Sequence, residues 1–251
     1  MPFKSLSALL GALLLTLPFG ADAAPLEQPA GSELMATVEA LSDAWTNRGR
    51  KWAVEDRIEE LGLSPYLHTE WIDWFTFHEN LILEIPGSGD EIVYVTAHWD
   101  KVDTNPLALA SLLVNGALDE LVSWSYFTDG ALDNGTGVAM VLALARHFAG
   151  RENHYTYRFV LTGAEEMGLR GARAHVARLD PDEVARIAFA VNLDTLARAG
   201  TRDCVMSDVS DAHLMQRLLY AARDSGASIG TEKLPEGASS DHAPFAHTSF
   251  W

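Results

Sequence analysis

Five separated segments of this chain each carry an oxygen or imidazole donor of the kind that holds a divalent metal ion. They are His98-Trp99-Asp100, Asp133-Asn134, Gly163-Ala164-Glu165-Glu166, Asp194 and Ser240-Asp241-His242. Adjacent carboxylates such as Glu165 and Glu166 repel one another, so each is costly to ionise unless an opposite charge lies close. Histidine and carboxylate donors with no cysteine among them suit zinc, and less often manganese or cobalt, in sites that keep a coordination position open. One histidine at each end of the set and three carboxylates between them suffice for two ions if one carboxylate bridges. A glutamate is then left over to act as a base. Paired ions acidify a shared water and polarise a substrate carbonyl, so the reaction class is hydrolysis of an amide or related bond.

Taken singly, each residue has a plainer explanation. Asp133 or Asn134 could cap the helix that follows, Glu165 and Glu166 could be solvated at a strand end, and Asp194 could sit in a turn. A lone histidine more often makes a structural hydrogen bond. The set together, placed at the ends of successive elements, favours metal.

The elements that must position these residues follow from hydrophobic period. Spacing predicts helices over 32–47, with Leu34, Val38, Leu41 and Trp45 on one face, and over 51–61. Strands are expected over 71–84 and 91–97, joined by the turn-rich Pro86-Gly87-Ser88-Gly89-Asp90. Strand and helix then alternate: helix 137–148, strand 155–161, helix 168–179, strand 187–193 and helix 212–223. Apolar strands interleaved with amphipathic helices give an α/β fold, a mixed and largely parallel central sheet flanked by helices on both faces, with an antiparallel hairpin at the front. Ligands in such sheets bind beyond the carboxyl ends of the strands, where His98, Glu165, Glu166 and Asp194 all fall. Asp133 falls instead at a helix start, where the helix dipole favours a carboxylate.

Composition bounds the rest. The chain has 251 residues, 48% hydrophobic and 21% charged, enough for one domain with a substantial core. Its formal net charge of -17 argues against nucleic acid or an anionic membrane as partner. Lys4, the apolar stretch 9–19 and Ala21-Asp22-Ala23 read as a signal peptide over 1–23, so the mature protein is expected to start at Ala24 and to be exported, periplasmic or extracellular. No later segment has the roughly 18 to 20 continuous apolar residues of a membrane span, so no stable membrane anchor is expected. Cys204 is the single cysteine, which leaves no internal disulfide and asks the core to suffice.

At the donor residues the sequence resembles metallopeptidase family 28, the di-zinc aminopeptidase family whose relatives include glutamate carboxypeptidases and glutaminyl cyclases. The resemblance runs from about 80 to 245 through His98-x-Asp100, Asp133-Asn134-x-Thr136-Gly137, Gly163-Ala164-Glu165-Glu166, Asn192-Leu193-Asp194 and Ser240-Asp241-His242-x-Pro244-Phe245. It implies the zinc aminopeptidase-like, phosphorylase/hydrolase-type sandwich and two zinc ions, with Mn2+ or Co2+ as substitutes. It further implies that Asp133 bridges the ions, that Glu166 and His242 complete one site, and that His98 and Asp194 complete the other. Glu165 would be the general base, Asp100 would orient His98, and the Asp133-Asn134 peptide would be cis.

Two departures from the family pattern stand out. An apolar and aromatic insertion at about 104–128 separates the histidine motif from Asp133, and is read as a helix or two that either shape a pocket at the site mouth or pack against the domain or a partner. The catalytic domain, 24–251, ends soon after the Ser-Asp-His motif, so it is expected to be incomplete at its C-terminus, with Phe250 and Trp251 exposed. Tyr220 is the only tyrosine after Asp194, and its helical setting reads as core packing rather than oxyanion binding. The expected function is an exported zinc-dependent exopeptidase acting on peptides, an aminopeptidase foremost. A glutaminyl-cyclase-like single-zinc acyltransferase and a non-catalytic binding module on the same scaffold are the alternatives.

Overall fold

The computed structural model describes residues 31–102 and 129–246. The expected leader, the insertion at 104–128, Phe250 and Trp251 lie outside the described residues. In chain order the elements are α1 (Gly31–Asp43), α2 (Asn47–Glu60), β1 (Leu67–Trp71), β2 (Glu79–Ile85), β3 (Ile92–His98), α3 (Thr136–Phe148), β4 (Thr156–Thr162), α4 (Arg170–Val176), α5 (Pro181–Arg186), β5 (Ile187–Asn192), β6 (Asp203–Met206), α6 (Ala212–Ser225), β7 (Ile229–Glu232) and α7 (His242–Ala246). An irregular turn, Ala131–Gly135, leads into α3.

The central sheet runs β1-β2-β4-β3-β5. β2 is antiparallel to β1 and β4, whereas β3 is parallel to both β4 and β5. The mixed α/β sheet that the sequence predicts is therefore present. Strand alternation divides its two faces. Leu81, Leu83, Val93, Val95, Phe159 and Leu161 join α1, α2 and α3 in the larger core. Ile82, Ile92, Tyr94 and Val160 face the other way, onto Ala172 of α4 and Phe245 of α7. All seven residues of β3 are buried, as a central parallel strand requires.

Three local expectations need correction. The turn at 86–90 joins no hairpin: β4 lies between β2 and β3, and the front hairpin is β1 with β2, joined through 72–78. Trp45 does not extend the buried face of α1. That helix ends at Asp43, Thr46 then caps α2 by accepting the Gly49 N–H, and Trp45 is left 93% exposed between the two. Tyr220 is not core either; its ring is exposed on α6 with the Arg223 guanidinium 5.5 Å above it. The parallel pair β6 and β7, joined through α6, was not visible in the residue pattern, because four-residue strands of half-buried character carry no clear period.

Candidate metal centre

The carboxyl ends of three neighbouring parallel strands build most of the site. His98 is the last residue of β3, opposite Thr162 at the end of β4, and Thr96 of β3 pairs with Asn192 at the end of β5. Glu165 and Glu166 follow in the turn after β4, and Asp194 comes two residues after β5. Asp133 arrives from the turn before α3. His98, Asp133 and Glu166 each offer a ligand atom within 4.8 Å of one another, a donor set of imidazole and carboxylate oxygen that fits a divalent ion. His98 Nε2 stands 3.0 Å from Asp133 Oδ1 and 3.7 Å from Asp194 Oδ1. His98 Nδ1 faces away from them, 3.2 Å from the Asp100 carbonyl and 3.7 Å from its Oδ1. His242 opens α7 directly after buried Asp241; it is not part of the 4.8 Å group, and burial holds its imidazole below the ordinary range against the pull of Asp194 and Asp208.

Polar side chains just behind the donors fix their geometry. The Asp100 carboxylate accepts the backbone N–H groups of Glu165, at 3.1 Å, and Glu166, at 3.3 Å, so one residue aims His98 and pins the glutamate turn. Asp194 Oδ2 accepts the Ser240 hydroxyl at 2.6 Å; Asn192 in turn donates to Ser240, and Thr96 donates to Asn192. Buried Asn134 donates to the Leu193 carbonyl at 2.8 Å and accepts the Gly137 N–H at 3.0 Å, so Asn134 satisfies an N–H in the first turn of α3 while Asp133 stays with the donors. A Cβ on Gly137 would come within 2.3 Å of the Asn134 amide, and only glycine permits that approach. The Asp133-Asn134 peptide is cis, as the resemblance implies. Asn80 ties the far side together, accepting the Gly163 N–H and donating to the Gly171 carbonyl. Asp241 accepts the Thr162 hydroxyl, and its second oxygen has no partner among the described residues.

Charge is concentrated here with little to offset it. Burial, with Asp241, Glu166 and Asp100 adding to it and His98 opposing, pushes Glu165 up to about 10. Burial and then Asp133 push Glu166 up to about 8, against His98. Burial draws His98 down, but Asp100, Asp133 and Asp194 outweigh it and hold the imidazole well above its ordinary range. Burial works against Asp194, yet His98, Ser240 and Thr195 hold it at about 2. Without a cation, then, the site keeps protons on groups that ordinarily ionise differently at neutral pH. A divalent ion held by these residues would supply the missing positive charge and invert that balance.

His98, Asp133 and Glu166, which the structure brings together, are candidates that the sequence already offers; the residues packed behind them are not. Asn80, Ser240 and Asn134 act through contacts with partners 46 to 91 residues away. Arg50 was also missed, although a charged residue in line with Val54 and Ile58 on the buried face of α2 is a readable anomaly.

The description "Peptidase family M28" belongs to the family model that matches residues 80–250. Aminopeptidase YwaD of Bacillus subtilis (strain 168) is 29% identical over 157 residues, which are 62% of this chain and 30% of that protein. The solved structure of a zinc aminopeptidase from Bacillus subtilis superposes with a TM-score of 0.52 at 28% identity, covering 68% of this chain and 37% of that one. A glutaminyl cyclase from an Acidobacteriales bacterium shares the fold more widely, with a TM-score of 0.68 over 92% of this chain and 80% of that one, at 17% identity. The chain spans about a third of the length of the first curated relatives it matches.

Proposed function

The chain belongs to peptidase family M28, and from that premise we propose that it is a zinc-dependent exopeptidase, an aminopeptidase, that removes N-terminal residues from peptides. The observation that carries this reading is the meeting of His98, Asp133 and Glu166 within 4.8 Å at the carboxyl edge of the parallel strands, with Glu165 beside them. In the proposed arrangement His98, Asp194 and Asp133 would hold one zinc ion, and Glu166, His242 and the shared Asp133 would hold a second. Zinc bound there supplies a Lewis acid that polarises the scissile carbonyl and acidifies water.

The chain's own groups do the rest. Glu165, its backbone held by Asp100, takes a proton from the attacking water and delivers it to the leaving amine as the peptide C–N bond breaks. Asp100 holds His98 with Nε2 toward the donors. Ser240 holds the Asp194 carboxylate in its orientation. The leader at 1–23 directs export in this reading, and no helix among the described residues is long and apolar enough to cross a membrane.

Incubating the zinc-loaded protein and a chelated control with a mixed peptide library, including peptides with N-terminal glutamine, and reading masses tests the proposal. Loss of single N-terminal residues only with zinc is the expected result. Loss of ammonia from the glutamine peptides would replace the peptidase with a cyclase, and an unchanged library would leave a binding module.

A further inference from the structure

Arg50 takes no part in the proposed chemistry and lies outside residues 80–250, the stretch that matches the family. It sits in the first turns of α2, its side chain wholly buried. Burial lowers its pKa to about 10 although Asp100, Asp133, Asp129 and Glu166 all pull the other way. Its hydrogen bonds among the described residues all go to backbone carbonyls. Nε donates to Trp99 at 2.8 Å, Nη1 to Leu41 at 3.0 Å and Asp129 at 3.1 Å, and Nη2 to Gly130 at 3.2 Å.

Those carbonyls frame the donors. Trp99 separates His98 from Asp100, while Asp129 and Gly130 lead directly into the turn that carries Asp133. The Gly130 carbonyl also accepts the Gly135 N–H, closing that turn at 3.0 Å. Gly130 has a φ of 69°, and a Cβ on it would come within 2.5 Å of Arg50 Nη1, so the backbone is shaped around the guanidinium. Asn47, one turn earlier on α2, holds Lys101 through both its carbonyl and its N–H. One helix end thus grips the segment after β3 and the entry to the Asp133 turn.

We propose that Arg50 is a positioning residue for the metal centre, its guanidinium fixing the backbone beside both His98 and Asp133 so that they stand at ligand spacing before an ion arrives. This rests on the metal-centre reading above. Free of an ion, no metal joins the segments that carry His98, Asp133 and Glu166, so ligand spacing must come from the backbone itself. A planar fork with five donors can serve four carbonyls at once; a lysine ammonium keeps the charge but has three donors and no fork. Arg50→Lys therefore separates geometry from charge.

The test titrates zinc into metal-free wild type, Arg50→Lys, Gly130→Ala and the neighbouring control Lys51→Met against a competing chelator, with urea unfolding of each in parallel. The expected result is wild-type affinity in Lys51→Met and about 10- to 100-fold weaker zinc binding in folded Arg50→Lys. Gly130→Ala should move the same way, and the visible absorption of the cobalt-loaded Arg50→Lys protein should shift. Wild-type affinity and an unchanged cobalt spectrum in the two folded site variants would overturn the proposal. Loss of folding in both, with no recovery on adding zinc, would also overturn it and assign Arg50 to the core instead. A wild-type protein that binds no zinc would refute the metal centre itself.

Discussion

Glu165 and Glu166, the adjacent carboxylates, hold the sharpest consequences. Their folded-state pKa values, about 10 and about 8, lie above the ordinary 4.5. Groups raised in this way contribute stability that is fully present below the unfolded value and is lost as pH rises toward the folded one. Chelated protein should therefore melt at progressively lower temperature from about pH 5 to about pH 9, and Glu165→Gln should flatten that decline. A chelated wild type whose melting temperature is level across the range would contradict the burial and crowding described for these glutamates. With zinc restored, Glu165→Gln should keep its metal and lose about 100- to 10,000-fold in peptide hydrolysis, the range for a general acid/base group. Undiminished turnover would remove Glu165 from that role. The three residues that meet, His98, Asp133 and Glu166, could be read from sequence because their types are rare in combination, and chemistry restricts what such a combination does. Arg50 could not, because its partners are carbonyls, which every residue possesses.

At the scale of elements, the segments that meet at the site are joined by Asn134, which links the start of α3 to Leu193 beyond β5. Asn134→Ala removes the hydrogen bonds to Leu193, Gly137 and Thr195 from a buried position and should lower stability by about 2 to 4 kcal/mol in urea unfolding, the cost of leaving buried polar groups unpaired. A change within about 0.5 kcal/mol would show that α3 and the Leu193 segment are held elsewhere. The long apolar strands and helices were legible because period 2 and period 3.6 persist over six or more residues. Strand order was not: the turn after β2 has every mark of a hairpin, yet it is β4 that pairs with β2, over five residues, and β3 lies beyond β4. Trp45 misled for a related reason, since helical spacing continues through it while Thr46 starts a new helix.

Over the whole molecule, helices cover the two faces of the sheet and leave its carboxyl edge to collect carboxylates from five segments in a chain of net charge -17. Such crowding of like charge opposes the compact state unless a cation offsets it. Metal and fold should therefore be coupled, with the zinc-loaded protein melting above the chelated one and the gap widening with free zinc. In the proposed arrangement both ions share Asp133, so Asp133→Ala should lose that gap together with its metal. The most direct measurement is elemental analysis of the purified, zinc-equilibrated wild-type protein. Two zinc ions per chain, falling to none in Asp133→Ala, is the result predicted here; a single ion in the wild type, or two retained by the variant, would contradict the bridged centre.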